Sequence, residues 1–291
     1  MSRGRVLLTG ATGLIGRAMR APLEAQGFDV VALSRGGGDV SGNLLDDPRR
    51  IVREARADHL VHLAWHDDPV ERWSAPANLD WVGASLGLMR AFAEAGGKRA
   101  VMVGSCAEYD WSAGRMSETT PLKPSTLYGA AKAATGIAAM AGAGRLGLSL
   151  AWARVFFVYG PGEPEGRLLG DLVRGLAGAR EVACTDGLQR RDFLHTDDVA
   201  AALAALLASP VEGAVNIGSG QAVEVRDMID RVARLLGRSE LVRLGARARP
   251  ETDPPLIEAV VGRLRDEVGF RPSHDLGSGI RAVLRAEGVT P

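Results

Sequence analysis

The stretch TGATGLIG, residues 9–16, decides how the rest of the chain is read. Before it lies the short apolar run RVLLT (5–9), and after it IGRAMRAPLEAQG reads as a helix stopped by Gly27. Gly10, Gly13 and Gly16 therefore fall where a strand turns into a helix. Glycine there permits a tight turn, lets backbone N–H groups approach a pyrophosphate, and admits close packing of helix on sheet. Thr12, Leu14 and Ile15 fill the rest of the same loop. A glycine triplet alone is a weak signal, because turns and caps collect glycine for structural reasons. Its place between a strand and a helix gives it meaning, and FDVVALS (28–34) completes a β-α-β unit.

Working outward, the alternation continues. LDDPRRIVREAR is an amphipathic helix, HLVHLAW (59–65) a strand, WVGASLGLMRAFAEAGG a helix and RAVMVGS (99–105) a strand. A further helix from about Ser125 to Arg145 precedes the strand LSLAWARVFFVYG. Strands and helices in this rhythm predict an α/β fold, a Rossmann-type doubly wound parallel sheet covered on both faces. After GPGEPEG (160–166) the pieces shorten, which marks a change of lobe. Residues 1–160 are expected to form most of the dinucleotide-binding domain. Residues 161–291 form a smaller α/β lobe with some segments returning to the first, and ARARPETDPP (246–255) reads as a surface loop.

Composition excludes several function classes. The chain of 291 residues has 46% hydrophobic side chains and 35 basic residues against 35 acidic ones. It has the apolar content of a globular protein and no basic run to serve nucleic acid or an anionic membrane. Small-molecule chemistry is the default. Cys106 and Cys184 are too few for a disulfide framework and lack metal-ligand spacing, so a reducing compartment and no metal are expected. The start MSRGRVLLTGATG has no signal-peptide pattern and no apolar run spans a bilayer, which together predict a cytoplasmic protein.

YGAAK places Tyr128 and Lys132 four residues apart, on one face of a helix. A phenol titrates near 10 and is a poor acid or base at neutral pH, and a nearby ammonium lowers that value by favouring phenolate. Upstream, Ser105 closes the strand RAVMVGS, and its hydroxyl can donate to a carbonyl or alkoxide.

The GxxGxxG spacing, the YxxxK pair and the SCAEY segment together resemble the short-chain dehydrogenase/reductase superfamily. TGATGLIG is similar to the form found in its extended branch, the NAD-dependent epimerase/dehydratase family. The resemblance runs over nearly the whole chain: WARVFFVYGPG resembles LRYFNVYGPG, and RRDFLHTDDVA resembles RDFIHVDDVA. It implies that Ser105, Tyr128 and Lys132 are catalytic, that Tyr128 and Lys132 also touch the dinucleotide, and that the C-terminal lobe binds a sugar nucleotide. It puts adenine near Asn43 and Leu44 and the end of HLVHLAW, at Leu63 and Ala64, against the cofactor. Trp65, Cys106, Phe157 and Arg191 are its candidate substrate contacts, with His66 and Trp111 bordering the pocket. It also implies a homodimer.

In NAD-preferring relatives an acid aligns with Ser34 to accept hydrogen bonds from the ribose hydroxyls. Here serine is followed by Arg35, whose guanidinium suits a 2′-phosphate, so NADP(H) is expected over NAD(H). Related 4,6-dehydratases carry Asp-Glu directly after the catalytic hydroxyl residue; this chain has Cys106 and Ala107, with Glu108 one place late. Epimerase-reductases of the fucose type carry a cysteine and a histidine where Ala107 and Gly162 stand. The asparagine of FNVYG is replaced by Phe157, and the family's other asparagine falls on Asp80 with Asn78 two residues before it. These departures leave reduction of a 4-keto group on a deoxysugar nucleotide as the expected reaction. A 4-epimerase with bound dinucleotide, and a non-catalytic dinucleotide-sensing regulator, stay open beside it.

Overall fold

The computed structural model describes residues 3–66, 68 and 71–289. In chain order its first part comprises β1 (Gly4–Thr9), α1 (Arg20–Ala25), β2 (Phe28–Ser34), β3 (Val40–Ser41), α2 (Pro48–Ala55), β4 (His59–His62), α3 (Ala77–Glu94) and β5 (Arg99–Ser105). There follow β6 (Arg115–Met116), α4 (Leu127–Ala143), β7 (Ser149–Val155), β8 (Phe157–Tyr159), α5 (Leu168–Ala177), β9 (Val182–Ala183), β10 (Arg190–His195) and α6 (Thr196–Ala208). The chain closes with β11 (Gly213–Ile217), β12 (Ala222–Glu224), α7 (Val225–Leu235), β13 (Val242–Arg243), β14 (Leu256–Ala259), α8 (Gly262–Asp266) and α9 (Leu276–Ala286).

Seven strands form one parallel sheet in the order β11-β7-β5-β4-β1-β2-β3. Apolar side chains on both faces of each central strand require cover on both sides, and every residue of β5 is buried. One face packs Val6, Val101 and Ala153 against Leu23 of α1 and Leu203 and Leu207 of α6. The other packs Leu7, Leu60 and Met102 against Ile51 of α2, Leu88 and Phe92 of α3, and Ala139 of α4. Full burial of each such aliphatic or aromatic side chain stabilises the fold by about 1.5–3 kcal/mol. The expected doubly wound sheet is present. Its strand order reverses between β1 and β4, which opens a crevice at their carboxyl ends.

A second sheet runs β12-β10-β14-β6, with β8 added alongside β10. LSLAWARVFFVYG is thus two strands in different sheets, because Phe156 bonds the carbonyl of Ile217 and breaks the ladder between β7 and β8. The helix expected from Ile15 becomes regular only at Arg20, after a 3-10 turn at Gly16–Ala18. Pro22 then falls in the first helical turn, where its missing N–H leaves no bond unmade. HLVHLAW leaves the sheet after His62, since Leu63 and Ala64 turn back to bond Thr9.

Candidate active site

The crevice floor is built by β1 and β4. Gly10 has φ +71°, and a Cβ there would lie 2.7 Å from the Ala64 nitrogen, so a side chain is excluded where the loop passes the end of β4. Beneath it, the Thr9 hydroxyl lies 2.7 Å from His62 Nδ1, and His62 Nε2 lies 2.9 Å from the Ser85 hydroxyl of α3. Ala64 N–H donates to Thr9 Oγ1 at 3.3 Å. Burial, with the charge of Lys132 adding to it, holds His62 down to about 3, so this bridge is neutral. Thr12, Leu14 and Ile15 stay exposed or half-buried on the loop above. A Gly10 cradle at the switch point of a doubly wound sheet fits a dinucleotide pyrophosphate.

At the end of β2, Ser34 exchanges hydrogen bonds with the backbone of Gly36, and Arg35 is exposed with no hydrogen bond or ion pair to the described residues. Asp39, on the far side of the glycine run, is turned away to accept the Ala32 N–H and pair with Arg20, each at 2.9 Å. Asn43 caps the Leu45 N–H at 3.2 Å. Buried Leu44, with Leu45, Pro48, Asp80, Gly83 and Ala84, lines a cavity of about 470 Å³ beside this strand end.

The three candidate catalytic residues come from two chain segments, the end of β5 and α4, and meet on the other side of the crevice. Ser105 closes β5 and caps the 3-10 turn Cys106–Glu108: its hydroxyl accepts the Ala107 N–H at 3.2 Å, and its own N–H donates to Glu108 Oε1 at 2.8 Å. Glu108 is fully buried, accepts from Trp152 Nε1 and pairs with Arg154 at 2.8 Å. The Arg154 guanidinium also donates to the Tyr109 hydroxyl, which donates to Asn216. α4 is capped by Thr126 and approaches this turn so closely that a Cβ on Gly129 would lie 2.3 Å from the Ala107 carbonyl oxygen. That contact carries Tyr128 and Lys132 to Ser105.

Lys132 is buried, donates to the Val103 carbonyl at 2.8 Å, and is lowered to about 7 by burial, with Glu108 opposing. Burial raises the Tyr128 phenol; hydrogen bonding from Ser105 and the charge of Arg72 pull against it. The sequence expectation that the lysine draws this phenol below its ordinary value is therefore corrected, because burial outweighs every nearby cation.

The remaining candidates separate. Phe157 and Arg191 line a cleft of about 840 Å³ between α5, β10 and α7, together with Arg174, Gln189, Arg247 and Asp253. Arg191 is 5% exposed, stacks 5.5 Å from the Phe157 ring and pairs with Asp253. The surface loop 246–255 thus supplies one wall, which its composition does not reveal. Cys106 is buried and its thiol is pushed up to about 12 by that burial. Trp111 donates to its carbonyl at 2.7 Å. Trp65 lies against Lys132 and donates its indole N–H to Asn78, which is itself fully buried. His66 is half-buried next to the indole in sequence. His195, Asp197 and His274 bring one potential ligand atom each within 4.8 Å, but His195 Nδ1 already accepts the Asp197 N–H and none of the three lines either cleft.

The model of the NAD dependent epimerase/dehydratase family matches residues 6–218. Among curated relatives, a UDP-glucose 4-epimerase of Streptomyces lividans is 26% identical, over 93% of this chain and 92% of its own. A dTDP-6-deoxy-L-talose 4-dehydrogenase (NAD(P)(+)) of Kitasatospora kifunensis is 29% identical over 99% and 96%. Among solved structures, MoeE5 in complex with UDP-glucuronic acid and NAD superposes with a TM-score of 0.88 at 30% identity, covering 98% of this chain and 99% of that one.

Proposed function

The chain belongs to the NAD dependent epimerase/dehydratase family, and from that premise we propose that it reduces the 4-keto group of a deoxysugar nucleotide with NADP(H). The observation that carries this reading is the meeting of Ser105, Tyr128 and Lys132 while Glu108 is withdrawn into its ion pair with Arg154. A hydroxyl donor, a phenol and an ammonium serve proton traffic at a carbonyl oxygen. A carboxylate locked to a guanidinium does not serve the proton removal that elimination of water requires.

When bound, the dinucleotide supplies hydride to the carbonyl carbon. The loop of Gly10, Gly13 and Gly16 offers N–H groups to its pyrophosphate, and Arg35 offers a guanidinium to a 2′-phosphate. Lys132 is a donor for ribose hydroxyls. Ser105 donates to the substrate oxygen and stabilises charge developing there. Tyr128 gives its proton to the same oxygen. A phenol raised by burial is protonated at neutral pH, the form a reductase needs of its acid, whereas a 4-epimerase must also remove a proton from the sugar hydroxyl. The relative named as a 4-dehydrogenase is consistent with redox chemistry at that carbon. The relative named as a 4-epimerase and the neighbour bound to NAD support the second reading, a 4-epimerase. Phe157, Arg191 and Arg247 in the larger cleft are the proposed contacts for the nucleotide part.

Purified protein, offered 4-keto-6-deoxy derivatives of CDP-, dTDP-, GDP- and UDP-sugars with NADPH or NADH, should consume NADPH and yield a 4-hydroxy product. Tyr128→Phe should lose roughly 100-fold or more in turnover while still binding dinucleotide. Interconversion of 4-hydroxy epimers with no net cofactor consumption would replace the reductase reading by the epimerase one. The same reading makes the protein a homodimer through α3 and α4, which pack together and expose Leu79 and Ile137. A protomer mass in sedimentation at micromolar concentration counts against the dimer.

A further inference from the structure

By its place in the sequence Trp65 is a candidate substrate contact, and the structure gives its indole a different neighbour. Lys132 Nζ lies 3.7 Å from the centroid of the Trp65 ring. The ring is held by three other contacts: its N–H donates to Asn78 Oδ1 at 2.8 Å, it stacks with Trp81 at 6.2 Å and 29°, and it meets the Tyr128 ring edge-on at 6.5 Å. Asn78 is held in turn, since its amide donates to the carbonyls of Arg72 and Ala75 at 2.7 and 2.9 Å. A buried asparagine, a second indole and an ammonium therefore converge on one ring.

We propose that Trp65 is a positioning residue for Lys132, its indole face holding the buried ammonium charged and in place against the end of β5. A cation over a π face is favoured by the ring quadrupole, most strongly where water is excluded. The other groups facing Lys132 give one distant counter-charge and no ion pair among the described residues. From β5 comes the neutral Val103 carbonyl; from the 3-10 turn, Glu108, whose charge favours the ammonium but whose oxygens are bound to Arg154, Trp152 and Ser105 N–H. From β4 comes His62, which is neutral. On α4 itself Tyr128 is one turn away, and Arg72 acts on it from the 71–75 turn. Burial drives Lys132 toward the amine and Glu108 opposes it; the indole face, 3.7 Å from Nζ, adds a second attraction for the cation. An ammonium has three protons; with one on Val103 and one over the ring, the third is left for a partner in the crevice.

The catalytic consequence rests on the reading of Lys132 given above, whereas the contact itself is tested without turnover. The chain has three lysines, Lys98, Lys123 and Lys132, and the first two are exposed. In cofactor-free protein carrying 13C at the lysine ε position, the Lys132 ε protons should be displaced upfield by the indole ring current and be the one set so displaced. Trp65→Leu should abolish the displacement and lower the Lys132 pKa by about one, with Trp65→Phe between the two. In turnover, the alkaline limb of the kcat profile should move to lower pH by the same amount in Trp65→Leu. An undisplaced Lys132 signal in the wild-type protein overturns the inference even if the leucine variant does not fold. So does an unchanged titration in Trp65→Leu accompanied by a raised KM for the sugar nucleotide, which would return Trp65 to the substrate wall. If the lysine spectra behave as stated and no ketone is reduced, the contact stands and the reductase reading falls.

Discussion

Arg35 stands at the end of β2 in solvent, and the carboxylate on its loop, Asp39, is spent on Arg20 and Ala32. A guanidinium so placed discriminates cofactors only through the 2′-phosphate. Arg35→Ala is therefore expected to weaken NADPH binding by about 1.5–3 kcal/mol, roughly ten- to a hundred-fold, and to leave NADH affinity nearly unchanged. Ser34→Asp should recover NADH, because a carboxylate accepts from the ribose hydroxyls and repels the phosphate. Titration of both cofactors checks this; equal losses for the two, or a wild type that favours NADH, reduces Arg35 to a solvated strand end. The placement of Ser34 and Arg35 where β2 ends, of Ser105 where β5 ends, and of Tyr128 and Lys132 one turn apart on α4 is legible in the bare order of residues, because strand ends and helical spacing are written there. Trp65 is not, since nothing in the spacing between Trp65 and Lys132 states that they touch. Nor is the direction of the Tyr128 shift, which depends on burial.

At the scale of elements, the bridge Thr9–His62–Ser85 ties β1, β4 and α3 together under the glycine loop. His62 stays neutral in the folded protein down to about 3, while in the unfolded chain it takes a proton near 6.5. The folded value is depressed, so acidification through that window protonates the unfolded state alone and stability is lost as pH falls. The loss approaches ~1.4 kcal/mol per pH unit. Urea unfolding at pH 7, 5.5 and 4.5 should give a steeper decline for wild type than for His62→Gln; identical slopes would show that His62 charges in the folded state. The long strands and helices of the first half are readable from their apolar periodicity. The two-residue strands β3, β6, β9 and β13 are not, for a pair of residues carries no period. The wall that loop 246–255 gives the larger cleft is also hidden, because Asp253 is held there by Arg191 across 62 residues of sequence.

Over the whole molecule, the family match and the alternation of strands and helices describe the same sheet, yet that sheet is not contiguous in the chain. Its outermost strand next to β7 is β11, which follows β8 and β10 of the second sheet and then α6, the helix that covers the large sheet. During synthesis, then, the N-terminal half leaves the ribosome with the β7 edge unpaired and waits until residue 217 has emerged for the sheet to close. An unpaired edge on a buried apolar strand is a template for association between chains. A fragment ending at residue 160 should accordingly be insoluble or unfold without cooperativity, and co-expression with 161–291 should rescue it. A soluble fragment with a sharp thermal transition would mean that the six strands β1–β5 and β7 close a core unaided. If they do not, this protein is exposed to aggregation for the time it takes to translate about sixty further residues, a vulnerability set by the order of its strands and not by their stability.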